Sequence, residues 1–134
     1  MDRILYTSAH YPANYGFIPR TVAQDHDPLD VLVLCTEDIQ PLSLVRCYAI
    51  GVIAMMDSGF VDKKIIAIPF QDPTYNGYHD IKELPKHVFE EMSHFFSVYK
   101  ELEGKSTAVE HVQNAQEAKK IILECMARYD EQYN

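Results

Sequence analysis

Gln24-Asp-His-Asp-Pro-Leu-Asp-Val-Leu-Val33 places three carboxylates, Asp25, Asp27 and Asp30, within six residues and then enters an apolar run. That run, Val31 to Leu34, reads as a buried strand. Pro28 fixes its own φ and biases Asp27 toward extended geometry. In an extended segment Asp25 and Asp27 point the same way, because side chains alternate, and Asp30 joins them if the turn folds back. Like charges held this close cost about 4 kcal/mol per pair at ~4 Å. Either one carboxylate holds a proton or a cation neutralises the group. Oxygen-only donors suit a hard cation such as magnesium, manganese or calcium. An EF-hand does not fit: counted from Asp25, its sixth and twelfth loop positions fall on Asp30 and Thr36 instead of Gly and Glu. For three aspartates alone, the competing reading, a solvated turn with Asx-type capping, is the favoured one.

Outward from this stretch the first half of the chain is strand-like. Arg3 to Tyr6 reads as a short strand, and His10 to Pro19 as turn-rich and aromatic. Asp38 to Ser43 reads as a loop. Leu44 to Met56 is β-rich, with Gly51 marking a bulge or a close backbone approach. Asp57 to Gly59 is a turn and Ile65 to Phe70 a strand; Asp72 to Asp80 is irregular. The second half changes period. Val88, Met92, Phe95, Phe96, Tyr99 and Leu102 recur at three and four residues, predicting a helix from Pro85 to Leu102 that stops at Gly104. A second helix starts near Asn114, which stands in capping-box spacing with Glu117, and presents Ala118, Ile121, Ile122, Cys125 and Tyr129. Strands first and helices after imply an α+β domain, with helices packed on an antiparallel sheet or small barrel.

The 134 residues suggest one domain, and 47% hydrophobic residues suffice for a core. A net charge of −8 argues against nucleic acid and anionic membranes as partners. An anionic protein still binds an anionic substrate if metal cations stand between them. Cys35, Cys47 and Cys125 match no zinc spacing and read as buried, reduced thiols. The N-terminus has no apolar signal core and no run approaches membrane-spanning length, so a cytoplasmic protein is expected.

Further acids follow in Met56-Asp-Ser-Gly-Phe-Val-Asp-Lys-Lys64, which offers Asp57 and Asp62 between two expected strands. Lys64 shares a face with Asp62 if the second strand has begun. If the sheet sets this hairpin beside the Val31 strand, five carboxylates surround one spot. Taken alone the hairpin reads first as an ordinary polar turn, and by periodicity Tyr99-Lys100 reads first as a core-facing tyrosine beside a surface lysine. Arg3 and Tyr15 say little alone.

Taken in order, these pieces resemble the soluble family I inorganic pyrophosphatases, especially the plant-like and bacterial members, over essentially the whole length. Asp25-His-Asp-Pro-Leu-Asp30 is similar to the family's D-x-D-P-x-D signature, Asp2-Arg3 to its D-R pair, and Tyr11-Pro-Ala-Asn-Tyr15-Gly to its Y-P-x-N-Y-G segment. Asp57 through Asp62 to Lys64 resembles its second acidic hairpin, and His94 to Lys100 the helix with its Tyr-Lys pair. The resemblance implies an OB-like β-barrel core with two packed helices, and magnesium-dependent hydrolysis of pyrophosphate to two phosphates, with manganese as a substitute ion. It implies that Asp25, Asp30, Asp57 and Asp62 hold metal ions and that Asp27 accepts a proton from the attacking water. Arg3, Lys64, Tyr99 and Lys100 would grip phosphate oxygens, and Tyr15 would contact substrate or a metal-bound water. A homo-oligomer is implied as well.

The chain departs from the family at His26, where many members have Gly, and at Leu42, in place of the glycine of a Pro-Gly-Ser-like turn. The family normally carries a longer segment before its D-R pair, supplying barrel strands, a phosphate-binding lysine and glutamates. The expectation is one domain over 1–134 without those strands. The alternative function is a catalytically inactive, divalent-metal-binding domain or fragment of the same fold, with a structural or interaction role. An OB-like barrel for oligonucleotides is disfavoured by the acidic balance.

Overall fold

A computed structural model of the chain describes the backbone of residues 13–37, 39–57, 60–102 and 109–133, and the same side chains except those of 56, 57, 60, 95–102, 109 and 110. The strand expected over Arg3 to Tyr6 lies outside these residues. The described strands are β1 (Ala13–Ile18), β2 (Leu29–Leu34), β3 (Cys47–Asp57), β4 (Phe60–Pro69) and β5 (Val109–Gln113). The described helices are α1 (Lys86–Leu102) and α2 (Ala115–Tyr133), with a 3-10 turn at Ile81–Glu83. The strands form one mixed sheet in the order β1-β2-β4-β3-β5.

The α+β reading therefore holds, but the sheet is not all antiparallel as expected. β2 and β4 run parallel, with Val31 opposite Ile65 and Val33 opposite Ala67, while the other pairs are antiparallel. The cause is visible in composition. Central strands covered on both faces carry continuous apolar runs, as parallel strands do, and here those runs are Val31-Leu-Val-Leu34 and Ile65-Ile-Ala-Ile68. β3 acts as the crossover that returns the chain beside β2. Among the described residues β1 and β5 remain the two edges, so the sheet there is not closed into the expected OB-like barrel.

Two cores flank the sheet. On one face Leu32, Leu34, Ile53, Ile66 and Ile68 pack with Val88 and Met92 of α1. On the other, Leu29, Val31, Val33, Val52 and Ile65 pack with Ala118, Ile121 and Cys125 of α2. The alternating sides of β2 thus feed both cores. Asn114 caps α2 as expected: its Oδ1 accepts from Glu117 N at 2.9 Å. Gly51 sits at a register shift in β3, where an added Cβ would lie 2.7 Å from Ile81 and 2.8 Å from the Gln113 carbonyl. Among the described residues no helix is long and apolar enough to cross a membrane.

Candidate active site

β2 and β4 both begin earlier than the sequence suggests, at Leu29 and Phe60, and this puts Asp30, Asp62 and Lys64 on strands. Their side chains meet because the parallel register sets Val31 opposite Ile65, which brings Asp30 beside Lys64. Asp62 lies two residues before Lys64, on the same face of β4. Lys64 Nζ donates to Asp30 Oδ2 at 2.5 Å and to Asp62 Oδ2 at 2.9 Å. The ammonium is buried, with 4% of the side chain exposed, while Asp30 keeps 33% and Asp62 18%. The Tyr15 ring of β1 lies 5.3 Å from Nζ, centroid to nitrogen, within cation–π range. Burial pushes the Lys64 pKa down, but hydrogen bonding and charge from Asp30, with Asp62 in support, outweigh it and leave the ammonium more firmly protonated than usual.

The acidic turn before β2 departs from the extended geometry expected of it. Ala23 N donates to Asp27 O at 2.8 Å and His26 N to Ala23 O at 3.0 Å. Asp25 Oδ1 accepts from Asp27 N at 3.0 Å, the Asx-type bond of the competing reading. His26 adopts φ 72°, which breaks the alternation that would have aligned Asp25 with Asp27. Both of these residues are exposed. Asp25, Asp30 and Asp62 nevertheless border one cavity of about 250 Å³, whose remaining walls include Leu29, Lys63, Ile121 and Arg128. By strand alternation Lys63 faces opposite to Lys64, so the cavity opens mainly on the α2 side of the sheet and reaches the acids at its rim.

The structure thus brings together Tyr15, Asp30, Asp62 and Lys64, with Asp25 and Asp27 on the adjoining turn. Arg3 lies outside the described residues. Asp57 ends β3 and Tyr99 and Lys100 lie on α1, but their side chains are outside the described set. Among the described residues no three of His, Cys, Asp or Glu stand together as a metal cage. The donors still fit a hard cation in kind: all are carboxylate oxygens, and two already converge on one positive charge.

Two residues that shape this site escaped the sequence reading. Thr21 is buried, donates from Oγ1 to Ile18 O at 2.5 Å and accepts from Leu29 N at 3.0 Å, so it ties the two ends of the acidic turn. Arg128 of α2 donates from Nη1 to Val22 O at 2.7 Å. A threonine just upstream of an acidic turn was a weak available signal for the first; nothing local signals the second, 106 residues away.

Comparison with known proteins agrees with this geometry. The family profile for inorganic pyrophosphatase matches residues 1–130. The chain is 46% identical over 133 residues to soluble inorganic pyrophosphatase 2 of Chlamydomonas reinhardtii, covering 99% of this chain and 69% of that protein. It is 42% identical over 132 residues to the inorganic pyrophosphatase of Geobacillus stearothermophilus, covering 98% and 80%. The solved structure of the Helicobacter pylori inorganic pyrophosphatase superposes with a TM-score of 0.85 at 40% identity, over 97% of this chain and 78% of that one. With its acidic turn and its lysine-bridged aspartates in place, this chain belongs to the soluble inorganic pyrophosphatases of family I.

Proposed function

We propose that this protein hydrolyses inorganic pyrophosphate to two phosphates. The observation that carries the proposal is the Lys64 ammonium shared by Asp30 and Asp62 beside the Asp25–Asp27 turn; membership of the family supports the same reading. Asp25, Asp30, Asp57 and Asp62 would hold divalent ions, magnesium first and manganese as a substitute. Such ions acidify water and offset the charge of the substrate.

The chain's own groups do the remaining work. The Asp27 carboxylate takes a proton from water as the water oxygen bonds to phosphorus. The P–O bond to the bridging oxygen breaks, and that oxygen leaves on the second phosphate. Lys64, Arg3 and Lys100 place positive charge at phosphate oxygens, and the Tyr15 and Tyr99 hydroxyls donate hydrogen bonds without adding charge. A positive side chain in a partly dried site stabilises developing charge more than it would in water.

The proposal extends to three coarser matters. The five strands are part of an OB-like barrel, supported by two irregularities in β3, at Ala49–Gly51 and Ala54–Met55, of the kind that bend a sheet. The protein is a cytoplasmic homo-oligomer. Its thiols Cys35, Cys47 and Cys125, none of them in a disulfide, suit a reducing compartment, and the exposed Leu44 and Val45 suit a contact between copies.

Phosphate release from pyrophosphate, measured with and without magnesium, tests the function. Turnover is expected only with the ion. Asp27→Asn is expected to lower kcat by at least about 100-fold, in the range of a lost general base, with an unchanged melting curve. Full turnover by that variant would remove Asp27 from its role, and no turnover by the parent chain would remove the function.

A further inference from the structure

We propose that Arg128 is a positioning residue for the acidic turn, holding Asp25 and Asp27 in place from the far side of the sheet. The inference rests on the hydrolytic reading above. Val22 is buried and has both backbone groups bonded to α2: its N–H donates to Cys125 O at 3.0 Å, and its carbonyl accepts from Arg128 Nη1 at 2.7 Å. The guanidinium is thus committed to a main-chain carbonyl just before the turn. The next residue, Ala23, closes the turn through its N–H to Asp27 O, and His26 N returns to Ala23 O. Displacement of Val22 therefore passes through a single residue to the backbone of Asp27.

Beyond Val22, Ala23 and Leu29 at the two ends of the turn pack in the α2-side core, while Gln24 to Pro28 are exposed. Asp25 and Pro28 are exposed and line the 250 Å³ cavity together with Ile121 and Glu124, so burial does not fix them against α2. The Thr21 hydroxyl ties the base of the turn to Leu29 and leaves its tip to the bonds at Val22 and Ala23. Without the Arg128 donor the Val22 carbonyl loses its charge-assisted partner, and the turn is free to settle into the cavity. Misplacement of a reacting group by about 1 Å costs up to 10²-fold in rate.

The test compares the full chain with Arg128→Met, which keeps the apolar stem and removes the donor, and Arg128→Lys, which restores one donor. Rates are taken per folded molecule from each variant's melting curve, so lost stability alone does not register as lost kcat. Arg128→Met is expected to lower kcat roughly 10-fold with KM for pyrophosphate changed by less than about 2-fold, because the groups that grip phosphate are untouched. Amide exchange at Ala23 and His26 is expected to rise about 10-fold while the β4 amides keep their protection. Arg128→Lys is expected to recover most of both effects. Parental kcat and exchange in Arg128→Met, or no recovery in a folded Arg128→Lys, would overturn the inference. If the parent chain does not release phosphate, the proposed function fails on its own, and the exchange of Ala23 and His26 decides whether Arg128 holds the turn.

Discussion

Lys64 supplies one ammonium to two carboxylates, and its burial makes that ammonium hard to replace. Lys64→Met leaves Asp30 and Asp62 facing each other without a positive charge. The expected cost is about 2 kcal/mol in urea unfolding, in the range for hydrogen bonds to charged groups, and millimolar magnesium is expected to recover part of it. A second feature at this scale concerns His26 and Leu42. Both adopt positive φ, 72° and 68°, the region that favours glycine. For a leucine this is a strained state, and Leu42 is fully exposed, so no packing compensates. Relief of roughly 1–2 kcal/mol, less the extra chain entropy of glycine, leaves Leu42→Gly more stable by about 0.5–1 kcal/mol, read as a rise in the urea midpoint.

At the level of elements, the helices and the two central strands were legible because their patterns are strong. The Pro85–Leu102 periodicity became α1, and Asn114 capped α2. β1 and β5 were not legible. ANYGFI is half-buried with turn-forming residues, and VEHVQ is short and polar; both are edges whose pairing, not their composition, makes them strands. The parallel pairing of β2 with β4 was hidden for a related reason: a continuous apolar run announces burial on two faces but not which neighbour lies alongside. Of the site, the carboxylates were legible as a cluster, and the Asx turn that separates Asp25 from Asp27 was the favoured reading of the three aspartates taken alone. Gly51 carries a prediction here. The nearest atoms to an added Cβ include the β5 carbonyl of Gln113, which cannot turn aside, so Gly51→Ala is expected to cost about 1–3 kcal/mol. Asp72 joins the residues just past β2 to the turn after β4 by accepting from Thr36 N and Oγ1, Thr74 N and Tyr75 N. Burial raises its pKa, but these bonds outweigh burial and hold the carboxyl below its ordinary range. Its contribution is therefore present above about pH 3.9 and is lost as pH falls through the lower folded value. Asp72→Asn is expected to reduce stability at pH 7 and to flatten the acid limb below about pH 4.

Across the whole molecule, a chain of net charge −8 gathers acids at one end of its parallel strand pair and, among the described residues, sets the buried Lys64 between two of them. Such an arrangement suits a protein that takes up divalent ions and uses them to accept an anion its own charge would repel. The parallel pairing of β2 with β4 and the acidic turn meet at that end, and α2 reaches it from behind through Val22. The central claim is that Asp25, Asp30, Asp57 and Asp62 take up divalent cations in the folded state. The direct measurement is the melting temperature of the chain and of Asp30→Asn/Asp62→Asn across a magnesium titration. An ion that binds only the folded state at about 100 times its Kd adds roughly 2.7 kcal/mol, and a shift of roughly 5–10 °C is expected in the parent chain with little or none in the variant. A parent curve that does not move with magnesium, or a variant that moves as far as the parent, would contradict it.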